Sequence, residues 1–328
     1  MKAVGFLGIG CYVPEKVLTN FDLEKMVETN NDWIIERTGI SERRIAADDQ
    51  ATSDLAFIAA TRALEDANVK PEDLDLIIVA TESPDTKFPS TACLIQDRIG
   101  ATKAAAFDLG AGCSGFVYGS AVASQMIATG LYKKALVIGA ETLSRIVNWE
   151  DRNTCVLFGD GAGAAVLGEV EDGYGILGID LGADGAGGDY LILPAGGARK
   201  PATIETVNNK EHSIYMNGNE VFKFAIKIMP KTTMNVLKKA NLNKEDLDII
   251  IPHQANIRII DSAARRLKID KDKIYVNVQK YGNTSAASIP IAMCEAKEEG
   301  KLVKGQNVEL VGFGAGLTWA SMILKWSK

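Results

Sequence analysis

Three side chains in this sequence have the chemistry to act together on an acyl group. Cys113 stands in DLGAGCSGF, where an apolar run gives way to a glycine turn and then to a long stretch of small residues. A thiolate there can attack a thioester or a similar acyl donor. The free N–H groups and dipole of the helix expected after it favour negative charge. The position therefore predicts a thiol pKa below the ordinary ~8.5. Gly112, Ser114 and Gly115 leave room for a substrate. His253 lies in IIIPHQAN, just past a proline that ends an apolar run, and Asn283 lies in YGNTSAAS. A neutral His N–H and an Asn amide N–H are two donors. Aimed at one carbonyl oxygen they stabilise an enolate, while backbone N–H groups hold an oxyanion. No acidic residue stands beside His253, so carbanion chemistry suits the set better than a protease-like triad. Each residue also has an ordinary alternative. A lone cysteine can pack inertly, a histidine can be satisfied in a loop, and asparagine is a favoured helix N-cap. Cys11, Cys93, Cys155 and Cys294 stand in apolar stretches and read as inert, and His212 in NNKEHS reads as solvated.

The elements that must position these residues follow from the hydrophobic pattern. AVGFLGIGCYVP reads as a buried strand ended by proline, Asp22 to Glu28 as helical, and residues 51–68 as a helix. LDLIIVA, residues 74–80, is a continuous apolar run, as in a strand covered on both faces. TACLIQDRIG reads as a helix stopped by Gly100, and residues 133–141 and 154–170 read as strands. The two halves are alike. GFLGIG from residue 5 resembles GILGID from residue 175, NVKPEDLDLIIVAT from 68 resembles NLNKEDLDIIIPHQ from 241, and the helix stop Gly130 matches Gly300. These spacings are 170, 173 and 170 residues, and the strand before Cys113 is likewise matched by KIYVNV at 273–278. A near-constant spacing marks a duplicated unit. Alternating strands and helices predict two α/β units, residues 1–172 and 173–328, with mostly parallel sheets. Reacting groups gather where such strands end. At a spacing of 170, Cys113 falls opposite Asn283, and the end of LDLIIVA falls opposite the end of LDIIIP, beside His253. If the halves pack about a pseudo-twofold axis, the three side chains share one pocket.

Composition narrows the classes of function. With 328 residues, 47% hydrophobic and 24% charged, the chain is long enough for two core-forming units. A net charge of −6 argues against nucleic acid as a partner. The five cysteines are odd in number and never in a C-x-x-C pair. That argues against a disulfide framework or a zinc site and suits a reducing cytosol. The opening apolar run is too short for a signal peptide, and no run approaches the ~18–20 apolar residues of a membrane span. A soluble cytoplasmic protein with no membrane partner is expected. GDGAGAAVLG at 159–168 has G-x-G-x-G spacing and reads as a turn or strand rather than a dinucleotide loop, and no P-loop is present.

The chain resembles the β-ketoacyl-[acyl-carrier-protein] synthase III family, the condensing enzymes that start bacterial type II fatty-acid synthesis. The resemblance runs nearly end to end, through NDWIIERTGISERRI, FPSTACLIQDRIG, DLGAGCSGF, LFGDGAGAAVL, NGNEVFKFA, PHQANIRI, YGNTSAAS and GFGAGLTWAS. It implies a thiolase-type α/β fold of two similar halves in five α-β-α-β-α layers, usually a homodimer, with no metal or other cofactor. It implies that Cys113 takes an acyl group from a short acyl-CoA. Malonyl-acyl-carrier protein then enters, and His253 and Asn283 bind its thioester carbonyl while CO₂ leaves. Phe222 and Phe313 match tunnel positions where an aromatic ring presses on the malonyl carboxylate. Trp33 and Arg152 match residues that sandwich the CoA adenine, and Arg37, Gly218 and Asn256 match other tunnel contacts. Phe88 matches a residue that crosses the dimer interface and limits the acyl pocket. Lys223, Arg258, Arg265 and Arg266 suit docking of an acidic carrier protein. Gly314 and Ala315 lie in the loop GFGAG that would complete the oxyanion hole, with Ala315 where the family commonly has glycine. The polar, loop-like stretch 192–213 is expected to cap the acyl pocket.

Overall fold

The computed structural model describes residues 2–328. Five strands form one sheet in the order Val4–Tyr12, Asp160–Glu169, Lys134–Thr142, Leu76–Ala80, Ala105–Leu109. Four form a second, in the order Ile249–Pro252, Asn307–Gly314, Thr318–Lys325, Gly175–Ala183. Read from its far end, the second order repeats the first. The sheets are mixed rather than mostly parallel. Leu76–Ala80 runs parallel to both neighbours, whereas Lys134–Thr142, Asp160–Glu169 and Val4–Tyr12 are successively antiparallel. Connection length explains this: only three residues separate Gly314 from Thr318, and so short a link can only reverse the chain.

The apolar runs are continuous because both faces of each sheet are covered. Leu76 and Ile78 point to the middle of the molecule, where Phe116 and Val117 of the Gly115–Ala128 helix and Ile289 and Met293 of the Ser288–Glu298 helix are buried. Ile77 and Val79 point outward against Leu55, Ala59 and Ala63 of the Thr52–Ala67 helix. The outer face of the second sheet carries the Gly218–Ala240 and Ile257–Leu267 helices, through Ile228, Val236, Ile260 and Ala264. The result is five layers, α-β-α-β-α. Burying each large aliphatic side chain contributes roughly 1.5–3 kcal/mol, so the two middle helices are held by both sheets at once.

Each middle helix is entered through a short turn, Gly112–Ser114 and Ser285–Ala287. Both turns open on a residue with positive φ, Gly112 at 53° and Ser285 at 46°. These equivalent positions are 173 residues apart, so the mirror of Cys113 is Ala286 and not Asn283, which lies three residues earlier. KIYVNV is not a strand. It makes one parallel bridge, Ile250 to Ile274, and the rest of the ladder is replaced by the Gln254 side chain. Its Oε1 accepts from the Asn277 and Val278 N–H groups, and its Nε2 donates to the Tyr275 and Pro252 carbonyls.

Smaller departures have local causes. The expected strand 154–170 starts only at Asp160, because Asp151 caps a short Arg152–Cys155 helix. The helical spacing of Asp22 to Glu28 yields only Asn20–Leu23, locked by a capping box between Thr19 and Asp22. Segment 192–213 holds the Ile204–Asn208 helix. His212 within it is partly buried, with Nε2 bonded to Thr206 Oγ1 at 3.0 Å, rather than free in solvent. Cys93 is exposed rather than packed away.

Candidate active site

One cavity of about 570 Å³ gathers Cys113, His253 and Asn283. Trp33, Arg37, Gly218, Phe222, Asn256, Phe313 and Gly314 also line it. The two halves are stitched together behind it: Asn283 N–H donates to the Leu157 carbonyl at 2.8 Å, and Gly159 N–H donates to the Asn283 carbonyl at 3.0 Å. The 159–168 run thus serves a strand and an inter-half junction, with no phosphate cradle.

The Cys113 turn lies backbone to backbone against the loop after Asn307–Gly314. A Cβ on Gly314 would collide with Cys113 N, and one on Gly112 would come within 2.7 Å of Ala315 N. Side-chain bulk at either glycine would part the nucleophile from this loop. Ala315 is accommodated because the positive φ of the loop falls on Gly316, at 133°. Cys113 itself is 7% exposed. Burial pushes its thiol up to about 12, against a hydrogen bond from Ser285, and the Glu141 and Glu82 carboxylates raise it further. The expected low thiol pKa is therefore corrected: in a closed site, desolvation and two nearby acids outweigh a helix N-terminus.

His253 is 1% exposed, and burial draws its pKa down to about 3, so the ring is neutral at physiological pH. Nδ1 pairs with Ser288 Oγ at 2.6 Å, and Ser288 Oγ also receives the Gln254 N–H at 3.4 Å. With the Ser288 hydroxyl donating to Nδ1, the ring proton lies on Nε2, the tautomer that presents an N–H to the cavity. Phe313 packs edge-on to the imidazole at 5.5 Å between ring centres. Asn283 Oδ1 accepts the Ser285 N–H at 2.9 Å, which leaves its Nδ2 amide as the end available to a ligand. Two neutral donors and one buried thiol thus share an enclosure with apolar walls.

Residues matched to the cofactor tunnel lie toward the mouth. The guanidinium carbon of Arg152 sits 5.1 Å from the Trp33 ring centre and that of Arg37 at 5.8 Å, so the indole is flanked by two cations. Arg152 itself does not line the cavity and donates to the Glu28 carbonyl. Asn256 caps the Ile257–Leu267 helix and donates to the Arg37 carbonyl at 2.9 Å, fixing this helix against the Trp33 helix. Arg258 stacks over Phe222 at 5.7 Å, while Lys223 pairs with Glu220 at 2.7 Å. Arg265 and Arg266 are exposed near the far end of the same helix, outside the cavity. Phe88 is 85% exposed and does not reach the cavity of its own chain. No residue of 192–213 lines the cavity; the ribbon that flanks the segment does, through Leu191, Tyr215 and Met216. Sequence reasoning passed over Gln254, Ser285 and Ser288, although all three stand inside the motifs PHQAN and GNTSAAS. It also passed over Glu141, which closes an apolar strand. Among the described residues, no group of three or more His, Cys, Asp or Glu is placed to hold a metal ion.

Comparison with known proteins agrees along the whole chain. A family model of 3-oxoacyl-[acyl-carrier-protein] synthase III matches residues 107–185, and one of its C-terminal part matches residues 237–326. The beta-ketoacyl-[acyl-carrier-protein] synthase III of Caldanaerobacter subterraneus subsp. tengcongensis is 64% identical, over 99% of this chain and 98% of its own. That of Desulfitobacterium hafniense is 61% identical, over 100% and 99%. The crystal structure of 3-oxoacyl-[acyl-carrier-protein] synthase III from Aquifex aeolicus has a TM-score of 0.91 at 47% identity, covering 98% of this chain and 100% of that one. The enzyme from Pseudomonas aeruginosa gives 0.92 at 39%, covering 100% and 99%. With the five-layered fold and these matches together, the chain belongs to the β-ketoacyl-[acyl-carrier-protein] synthase III family.

Proposed function

We propose that this chain is the acyltransferase that condenses a short acyl-CoA with malonyl-acyl-carrier protein to a 3-oxoacyl-carrier protein, the first condensation of fatty-acid synthesis. The observation that carries the reading is the meeting of Cys113, His253 and Asn283 in one cavity, in a chain 64% identical to a β-ketoacyl-[acyl-carrier-protein] synthase III. Cys113 attacks the acyl-CoA thioester, and CoA departs as its thiol. The Cys113 N–H and the Gly314–Ala315 loop stabilise the oxyanion of this step. Malonyl-carrier protein then places its thioester carbonyl on His253 Nε2–H and Asn283 Nδ2–H. The C–C bond to the carboxylate breaks, CO₂ leaves, and the electron pair resides on the enolate these donors hold. Its carbon attacks the acyl-Cys113 carbonyl, and the cysteine sulfur leaves. Phe222 and Phe313 form the apolar wall that strips water from the malonyl carboxylate.

Trp33 and Arg152 take the CoA adenine between them, Arg152 moving off the indole it now covers at 5.1 Å, with Arg37, Gly218 and Asn256 along its path. The reaction needs no metal. The exposed Phe88 and the edge strand Ala105–Leu109, where Phe107 is also exposed, support a homodimer in which Phe88 enters the partner's acyl pocket. Residues 1–172 and 173–328 are read as two copies of one ancestral unit. A cytoplasmic location suits the substrates, and among the described residues no helix is long and apolar enough to cross a membrane. The test is product mass. Incubated with acetyl-CoA or longer primers and malonyl-carrier protein, the protein should yield 3-oxoacyl-carrier protein and CO₂, with one acyl group trapped on Cys113. Acylation elsewhere, or no extended product with any primer, rejects the reading.

Lys223, Arg258, Arg265 and Arg266 are proposed as the docking face for the acidic carrier. Charge reversal Arg258→Glu should raise KM for malonyl-carrier protein about fivefold or more, and the effect should shrink with added salt. Acyl transfer from CoA should hardly change. An unaltered KM would leave these residues as an ordinary solvated face.

A further inference from the structure

Arg43 is 0% exposed and yet carries a charge. Burial lowers its pKa only to about 10, so it is a cation at neutral pH. A buried charge is ordinarily matched by an opposite one. The adjacent acid, Glu42, pairs instead with Arg44 at 3.7 Å. The Arg43 guanidinium meets neutral oxygens. Nη2 donates to the Val156 carbonyl at 2.7 Å, and Nη1 donates to Asn20 Oδ1 at 2.9 Å and to the Leu18 carbonyl at 3.2 Å. Nε has no partner among the described residues. A cation desolvated without an ion pair is a poor device for stability alone.

Its place in the fold gives it another use. Arg43 stands opposite Leu18 in the two-stranded ribbon of Lys16–Thr19 and Glu42–Ile45, beside the junction that carries Asn283. That junction is an isolated parallel bridge between Phe158 and Asn283. It consists of the Asn283 N–H to the Leu157 carbonyl and the Gly159 N–H to the Asn283 carbonyl. Gly159 and Gly282 let the backbones meet. A Cβ on them would fall 2.5 and 2.7 Å from the Tyr281 and Leu157 carbonyl oxygens. The Arg43 stem covers both, since the same two positions lie 3.1 and 3.4 Å from Arg43 Cβ. Beyond the stem, the guanidinium grips Val156, the residue before Leu157. Val156, Leu157 and Phe158 all line the cavity. The far end of the grip is fixed too. Asn20, itself 0% exposed, donates from Nδ2 to the Ile40 carbonyl at 2.8 Å and to Asn31 Oδ1 at 3.2 Å. The Ser41 N–H donates to the Gln279 carbonyl at 3.0 Å, tying the ribbon to the Val278–Tyr281 helix that leads to Asn283.

We propose that Arg43 is the positioning residue for Asn283: its stem and guanidinium clamp the Val156–Gly159 segment on the Gly282–Asn283 backbone, and so set the amide that receives the malonyl thioester carbonyl. The inference rests on the reading of Asn283 as an enolate donor. Arg43 touches no reacting atom and acts through the backbone alone. Lysine keeps the charge but brings a single nitrogen, which cannot span the Val156 and Leu18 carbonyls as a planar fork does. A donor displaced by about 1 Å loses much of its effect, on the order of 10–100-fold. The thiol is spared, because the Cys113 turn is held against Gly314 and Ala315 instead.

The experiment compares the native protein with Arg43→Lys, Asn283→Ala and the double variant. Arg43→Gln, which removes the buried charge and keeps one donor, is carried beside Arg43→Lys should the latter fail to fold. Acylation of Cys113 by acetyl-CoA is read by intact mass. CO₂ release from malonyl-carrier protein is expressed per acylatable site, so that unfolded protein is not counted. Amide hydrogen exchange is followed by mass spectrometry. Each Arg43 variant should lower kcat for CO₂ release at least ~10-fold and leave the acylation rate within about twofold. The double variant should release CO₂ no more slowly than Asn283→Ala, because the clamp has nothing left to position. The Gly159 and Asn283 amides should exchange at least ~10-fold faster, with the Leu76–Ala80 and Thr318–Lys325 strands unchanged. A residue that only stabilised the fold would speed exchange throughout, slow both half-reactions together and multiply its loss with that of Asn283→Ala. That pattern overturns the proposal, as does unaltered CO₂ release in the Arg43 variants. If the native protein releases no CO₂, the proposed function falls, and the exchange pattern still decides whether Arg43 holds the Asn283 backbone.

Discussion

His253→Ala and Asn283→Ala should each leave Cys113 acylation intact and lower malonyl decarboxylation by ~10²–10³-fold, the usual effect of removing one oxyanion donor. The two side chains offer one N–H each to the cavity, and both are fixed from behind. His253 is set by Ser288 at Nδ1, and Asn283 by the Ser285 N–H at Oδ1. Neither has to reorganise as the enolate forms. Because burial holds His253 neutral down to about pH 3, it donates a hydrogen bond as an imidazole and has no charge to lose. Its titration should therefore impose no fall in decarboxylation between about pH 5 and 8. A stopped assay of CO₂ release, run beside mass detection of acyl-Cys113, separates the two half-reactions. Loss of acylation in either variant would show that these donors serve the thiol and not the malonyl group. A decarboxylation rate falling as pH drops through 6.5 would show that the ring titrates as an ordinary histidine.

The sequence made the fold and the meeting of Cys113, His253 and Asn283 in one cavity readable through different signals. The duplicated LDLIIVA and LDIIIP runs have strand length and no polar face, which in an α/β chain means cover on both sides. The turns could be placed because glycines precede Cys113 and Asn283, and because chain spacing relates one half to the other. Spacing alone misjudged the mirror position by three residues, because the 170-residue spacing was applied where the neighbouring strands LDLIIVA and LDIIIP already stand 173 apart. The thiol pKa was misread for a related reason. A helix N-terminus is visible in sequence, but the desolvation that outweighs it arises only when both sheets and the Phe313 strand close around the site. Ser288 acts through His253, which it meets only in space, so its motif showed it as a small residue before a helix. Arg265 and Arg266 show the reverse limit. Their charge was readable, but their distance from the cavity depends on how far the Ile257–Leu267 helix runs away from it.

Glu309→Gln should make the protein less sensitive to rising pH. Glu309 lies at 0% exposure on the strand that delivers Phe313 and Gly314, where Thr233 and Ser321 both donate to Oε1 at 2.7 Å. Oε2 has no partner among the described residues. Burial raises this carboxyl from 4.5 to about 7, so the fold prefers it protonated. The sign follows from proton binding. Between about pH 4.5 and 7 the unfolded chain releases this proton while the native state keeps it, so stability falls as pH rises across that window. Above it the loss is complete, about 3 kcal/mol at 1.36 kcal/mol per pKa unit. Glutamine keeps an Oε1 acceptor for both hydroxyls and carries no charge at any pH. Relative to the native protein, Glu309→Gln should therefore gain roughly 2.5 kcal/mol between pH 5 and pH 8, equivalent to about 4 °C in melting temperature for a chain of this length. Glu141 is raised to about 7 as well, so the variant should retain part of the native decline. Urea unfolding at the two pH values measures the difference, and parallel pH slopes for the two proteins would show that Glu309 is ionised in the native state. Glu309 stands four residues before Phe313 on the strand that supplies part of the cavity wall, so the charge it gains at high pH falls on the element that positions that wall.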